Sequence, residues 1–134
     1  MIVVDSSALI AIVKNENDAT HFHSALATAS KLVMGAPTKI ELMLVAGGRF
    51  GRDGLVRTQT LLDSSGITIH DWTEDLSDQA VEAFMRYGKG QHPAKLNFGD
   101  CMSYALAKSL NAPLLYKGED FAKTDIKSAA AASA

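Results

Sequence analysis

The stretch Met1-Ile2-Val3-Val4-Asp5-Ser6-Ser7-Ala8-Leu9-Ile10-Ala11-Ile12-Val13 carries the reading that decides the fold. Ile2-Val3-Val4 has no polar alternation, as expected of a strand buried on both faces. Ser6 or Ser7 can then cap a helix through Leu9, Ile12 and Val13. The same alternation recurs downstream. Leu32-Val33-Met34, Ile67-Thr68-Ile69 and Leu114-Leu115-Tyr116 are short apolar runs separated by segments of helical composition. That order predicts a three-layer α/β/α open sheet, mainly parallel, with helices on both faces.

Helix starts are marked throughout. Asn17 or Asp18 can open a helix through Phe22, Ala25 and Leu26, and Thr38 one that carries Ile40 to Val45. Asp53 can cap a helix through Val56 and Leu61 that Gly66 ends, and Thr73 or Asp75 one through Val81, Phe84 and Met85. Asn97 can cap the helix carrying Cys101, Met102, Ala105 and Leu106, which ends near Asn111 before Pro113. Residues 88–93 read as a loop, and no internal repeat or linker is visible.

With 134 residues the chain is expected to form a single domain over residues 1–127, followed by a low-complexity, disordered tail at 128–134. Apolar residues make up 47% and charged residues 21%, which excludes the disordered class. The longest apolar run, Leu42 to Ala46, is too short to span a bilayer. A single cysteine, Cys101, cannot form an internal disulfide, and the N-terminus lacks a signal-peptide pattern; the cytoplasm is the expected compartment. A net charge of −2 argues against binding nucleic acid by positive charge alone. Arg49, Arg52, Arg57, Arg86, Lys89 and Lys95 nevertheless form a mid-chain basic set, which reads equally as solvated helix faces or as an RNA track.

In such a sheet the C-terminal strand ends and the helix N-termini share one edge, where ligands bind. Four acids map there. Asp5 follows the first strand, Glu41 falls in the first turn of the helix after the second, and Asp100 in the first turn after Asn97. Asp120 comes just past the last strand, where Glu119 or Asp125 could share or replace its role. Each has a structural reading of its own. Thr38-Lys39-Ile40-Glu41 matches a capping box, Asp100 could complement a helix dipole, and Asp5 could be a helix-start residue beside Ser6 and Ser7. Glu41, however, is the only charge between Ile40 and Gly48, on a helix that looks buried nearly all round, where a carboxylate needs a partner. Two unit charges about 4 Å apart repel by about 4 kcal/mol at an effective dielectric near 20, more than dipole effects offset. Divalent cations do offset it, and an all-oxygen set favours Mg²⁺ or Mn²⁺ over zinc. Phosphodiester hydrolysis of a nucleic acid is the chemistry that follows.

Val4-Asp5-Ser6-Ser7-Ala8-Leu9, the helical Glu41, Asn97-Phe98-Gly99-Asp100-Cys101 and Leu114-Leu115-Tyr116-Lys117-Gly118-Glu119-Asp120-Phe121 together resemble the VapC-type toxins of the PIN-domain family, up to about Ile126. The resemblance implies a PIN-like fold and a Mg²⁺- or Mn²⁺-dependent endoribonuclease, the toxin of a toxin–antitoxin pair. It also implies a homodimer and inhibition by an antitoxin whose C-terminal segment blocks the acidic site, with arginine the natural blocking residue. Carried over singly, the catalytic acids fall on Asp5, Glu41, Asp100 and Asp120. Asp5 and Asp100 then bind the metal, with Glu41 and Asp120 as shared or second-site ligands. Many PIN domains have a further aspartate where Gly118 stands, and Ser6 or Ser7 matches a hydroxyl often found near the first ligand.

His21 and His23, two apart on a helix, cannot bind one metal together and read as surface residues. His92 reads as a loop histidine or an RNA contact, and Cys101 as core, on an apolar stripe with Phe98, Met102 and Ala105. An aspartate-nucleophile phosphatase would need a second aspartate where Ser7 stands. A non-catalytic PIN-like module that binds RNA or protein is the alternative from a different class.

Overall fold

The computed structural model describes residues 1–129. Four strands form one all-parallel sheet: β1 (Ile2–Val4), β2 (Leu32–Gly35), β3 (Ile67–His70) and β4 (Leu114–Leu115), in the order β3-β2-β1-β4. In register, Val3 lies opposite Val33 on one side and Leu114 on the other. Strand side chains alternate between the two faces, and both are covered. Val3, Val33 and Leu114 join Leu76, Tyr87, Leu96, Cys101 and Leu106 in one core. Val4, Leu32, Met34 and Leu115 join Leu9, Phe22, Leu26, Leu42 and Leu62 in the other. The three layers expected from the sequence are therefore present, and each of the four apolar runs is a strand.

The helices are α1 (Ser6–Val13), α2 (Ala19–Thr28), α3 (Ala36–Ser64), α4 (Glu74–Tyr87) and α5 (Phe98–Ser109), with a 3-10 turn at Phe121–Lys123. Their caps follow the sequence only in part. Thr73 caps α4, accepting from the Leu76 N–H, and Asn97 caps α5, as expected. At α1 the helix-start reading of Asp5 holds in place of Ser6 or Ser7: its carboxylate accepts from the Ser7 N–H. Asp18 stands at the cap of α2 without capping it; its carboxylate is engaged by Lys117 Nζ at 3.2 Å. Among the described residues no helix is long and apolar enough to cross a membrane.

Three expectations are corrected. Helix α3 begins at Ala36, with Gly35 as its cap and Pro37 in its first turn, where the missing N–H is no loss. Glu41 therefore sits in the second turn and the Thr38–Glu41 capping box does not form. The two helices expected here, one carrying Ile40 to Val45 and one through Val56 and Leu61, are both present within Ala36–Ser64 and meet at a kink where Gly51 leaves the helical conformation (φ 67°, ψ −157°). Nor is α3 buried nearly all round: Ile40 is 61% and Leu44 71% exposed, while Leu42 and Ala46 face the core. Finally, the chain does not loosen at residue 128. The Leu114 N–H donates to the Lys127 carbonyl at 2.8 Å, Ser128 bridges to Leu114, and Ala129 is 3% exposed in the core. The remainder of the expected tail, residues 130–134, lies outside the described residues.

Candidate active site

Asp5 is the most enclosed of the four acids, at 3% exposure. Backbone pairing carries it one residue beyond β1, since its N–H donates to the Leu115 carbonyl at 2.9 Å. Both carboxylate oxygens are committed. Oδ1 accepts from Ser103 Oγ at 2.5 Å, and Oδ2 from Ser7 Oγ at 2.6 Å and Ser7 N–H at 3.1 Å. Ser7 Oγ also accepts from the Lys117 N–H at 3.0 Å. One hydroxyl thus ties Asp5 to the loop that leads to Asp120.

Glu41 reaches the same edge from α3, where Ser6 Oγ donates to its Oε1 at 2.8 Å. Burial and the Asp5 charge raise its pKa against that hydrogen bond. Asp100 is the third residue of α5 and forms a capping box with Asn97: each side chain accepts from the other's backbone N–H, at 2.8 and 3.1 Å. Burial above all pushes its pKa up to about 7, the Asn97 hydrogen bond opposes this, and the charges of Asp5, Glu41 and Asp120 add to it. All four acids act in one electrostatic field. Asp120 is the outermost, exposed just before the 3-10 turn.

The alternatives to Asp120 sit differently. Asp125 accepts from Tyr104 Oη and Lys108 Nζ and pairs with Arg86 at 3.7 Å. Glu119 is not among the charges that act on Asp100. The aspartate common at the position of Gly118 is disfavoured by the backbone here, where φ is 107°.

No Lys or Arg among the described residues pairs with Asp5, Glu41, Asp100 or Asp120; the nearby Lys117 is taken by Glu16 and Asp18. Nor do three metal-ligating side chains among the described residues already stand close enough to hold an ion. The donor chemistry nevertheless fits a hard divalent cation, because every group is a carboxylate oxygen and the shared field has no protein cation to balance it.

Two residues at this edge escaped the sequence reading. Ser103 holds Asp5, and its signal was a polar residue three positions after Asp100 on an otherwise apolar face. At Gly99 an added Cβ would stand 1.9 Å from Glu41 Oε2. No sequence signal marks that contact, because it depends on where α3 lies.

His21 and His23 are exposed, as expected. His92 shapes its own loop: Nδ1 accepts from the Ala94 N–H at 3.0 Å and the ring packs edge-on to Tyr87. Cys101 is buried in the core, but Phe98, expected on the same apolar stripe, is 70% exposed beside Ile40, Leu44 and Met102. Of the basic set, Arg57 donates to the Val13 carbonyl and Arg86 lies over Tyr87. Arg49, Arg52, Lys89 and Lys95 have no ion pair among the described residues.

A parallel three-layer fold with a carboxylate edge of this kind defines the class of PIN-like proteins. The PIN-domain family model matches residues 2–127. VapC ribonuclease Mb0640 of Mycobacterium bovis is 41% identical over 128 residues, covering 96% of this chain and 98% of that protein. Ribonuclease VapC of Mycolicibacterium smegmatis is 41% identical over 124 residues, covering 92% and 96%. Among solved structures, the sarcin–ricin loop cleaving toxin VapC20 of Mycobacterium tuberculosis aligns with a TM-score of 0.79 at 18% identity, over 94% of this chain and 96% of that one. A toxin–antitoxin complex from Klebsiella pneumoniae aligns at 0.70 and 21%, over 93% of both chains. The chain belongs to the PIN-domain family, in its VapC ribonuclease branch.

Proposed function

We propose that this protein is a metal-dependent endoribonuclease, the toxin of a toxin–antitoxin pair, acting in the cytoplasm. The observation that carries the reading is that Asp5, Glu41 and Asp100 come to one sheet edge, Asp5 held by Ser103 of α5 and Glu41 by Ser6 against Gly99 of α5, with no Lys or Arg among the described residues paired to them. The ribonuclease names of relatives 41% identical over nearly the whole chain support the same activity. Asp5 and Asp100 would hold Mg²⁺ or Mn²⁺, with Glu41 and Asp120 as shared or second-site ligands. Bound there, the ion would supply a polarised water and positive charge for phosphodiester hydrolysis. Ser7 and Ser103 keep Asp5 fixed. Arg49, Arg52, Lys89 and Lys95 of the mid-chain basic set have no ion pair among the described residues and would meet RNA phosphates.

Two partners belong to this reading, a second copy of the chain and an antitoxin. A groove lined by Pro37, Ile40, Leu44, Phe98 and Met102 opens directly onto Glu41. An antitoxin segment with apolar side chains for the groove and an arginine for the unpaired acids complements it in both shape and charge.

Asp5→Asn and Asp100→Asn remove charge at nearly constant shape. Both are expected to lower Mg²⁺-dependent RNA cleavage at least 100-fold and to relieve the growth arrest caused by the wild-type chain expressed alone. Cleavage that survives both changes, or that persists in EDTA, would refute the site. RNA binding and stability indifferent to EDTA, with no cleavage by the wild type, would favour the non-catalytic module instead.

A further inference from the structure

We propose that Gly99 and Ser103 are positioning residues for cation binding, and that α5 is the template on which Glu41, Asp100 and Asp5 are set at fixed spacing. The proposal rests on the metal-nuclease reading above.

The three acids come from three elements, α3, α5 and the end of β1, yet all are referenced to the first turns of one helix. Asp100 belongs to α5 itself and is locked by the Asn97 capping box. One residue earlier, the bare α-carbon of Gly99 is the seat of the Glu41 carboxylate. A Cβ there would lie 1.9 Å from Oε2, 2.6 Å from Cδ and 2.8 Å from Oε1, so any side chain would displace the whole carboxylate. Three residues after Asp100, and hence on a neighbouring line of the same helix face, Ser103 holds Asp5 Oδ1. Ser103 is 1% exposed, and its Oγ lies 3.5 Å from Thr38 Oγ1 on α3. With its proton committed to Asp5 and no route to solvent, Ser103 holds a ligand rather than acting as one. Gly99 contributes only the absence of a side chain.

Each contact fixes one acid relative to Asp100. Losing either leaves the charges in place but changes their spacing, which a cation with strict distance demands detects.

The test compares wild type, Gly99→Ala, Ser103→Ala, Glu41→Ala and the Gly99→Ala/Glu41→Ala double variant. Mn²⁺ affinity is measured by calorimetry, kcat and KM on RNA, and the ¹³C shifts of the Glu41 and Asp5 carboxyl carbons in metal-free protein. Alanine is a better helix former than glycine, so Gly99→Ala should melt at or above the wild-type temperature. Its Mn²⁺ affinity should nevertheless fall at least tenfold, with kcat lowered more than KM and the Glu41 resonance moved. On a Glu41→Ala background the same change should add less than twofold, as expected of residues that act through one another. Ser103→Ala should weaken Mn²⁺ binding about as much and move the Asp5 resonance. Wild-type affinity with unmoved resonances in Gly99→Ala and Ser103→Ala, or an equal further loss in the double variant, overturns the proposal. If the wild type neither binds Mn²⁺ nor cuts RNA, the nuclease reading fails, and the carboxyl resonances alone decide whether Gly99 and Ser103 position the acids.

Discussion

A carboxylate buried beside three others holds its proton more tightly in the folded chain than in the unfolded one, and at Asp100 this has a measurable consequence. Its folded pKa of about 7 lies above an unfolded value near 4. Between those limits the folded state binds the extra proton, so without metal the contribution of Asp100 falls as pH rises through that window. Asp100→Asn removes the titrating group and keeps an oxygen for the Asn97 N–H. In EDTA, Asp100→Asn should therefore melt above wild type at pH 7.5, with the difference shrinking by pH 5. Parallel melting curves across that range would show that Asp100 is not held in an unfavourable charged state. Mn²⁺, which binds the ionised form, should stabilise wild type more at pH 7.5 than at pH 5.5.

At the scale of the element, two helices with equivalent caps separate stability from function. Thr73 caps α4 and Asn97 caps α5, each accepting from a backbone N–H of its own first turn. Replacing either with alanine removes a comparable hydrogen bond, worth about 1 kcal/mol in urea denaturation. Only the α5 cap is reciprocal with a site acid, because Asp100 in turn accepts from the Asn97 N–H. Asn97→Ala should therefore weaken Mn²⁺ binding and lower kcat, while Thr73→Ala should leave both within twofold. Equal effects on metal binding from the two caps would mean that α5 placement matters only through global stability.

For the molecule as a whole, α3 divides its apolar residues between core and solvent. Leu42 is fully buried against α1 and the sheet, and Leu42→Ala should cost about 2–5 kcal/mol. Leu44 faces out, into the groove that runs to Glu41. Leu44→Asp should leave the urea midpoint nearly unchanged and abolish binding of the antitoxin proposed above, read by co-purification. If Leu44→Asp instead splits a dimer in light scattering and leaves antitoxin binding intact, the groove belongs to a second copy.

The sequence by itself determined the sheet. Short apolar runs alternating with helical segments, the first of them without polar alternation, read as the strands of a parallel sheet, and acids placed just after a strand or near a helix start were expected to gather at one edge. It also located Thr73 and Asn97, whose capping hydrogen bonds span only three residues. What failed depended on contacts between segments far apart in the chain. The run Ile40 to Val45 reads as buried because apolar composition does not say that one side of α3 lacks a neighbour. Thr38 reads as a cap because Gly35 and Pro37 start the helix earlier only once β2 has delivered the chain. The roles of Ser103 and Gly99 were missed for the same reason. Ser103 meets an acid 98 residues away, and Gly99 matters only because the Glu41 carboxylate comes to rest where its side chain would be. Local hydrogen bonds and hydrophobic periodicity are written along the chain, whereas contact between distant segments is decided by how the layers pack.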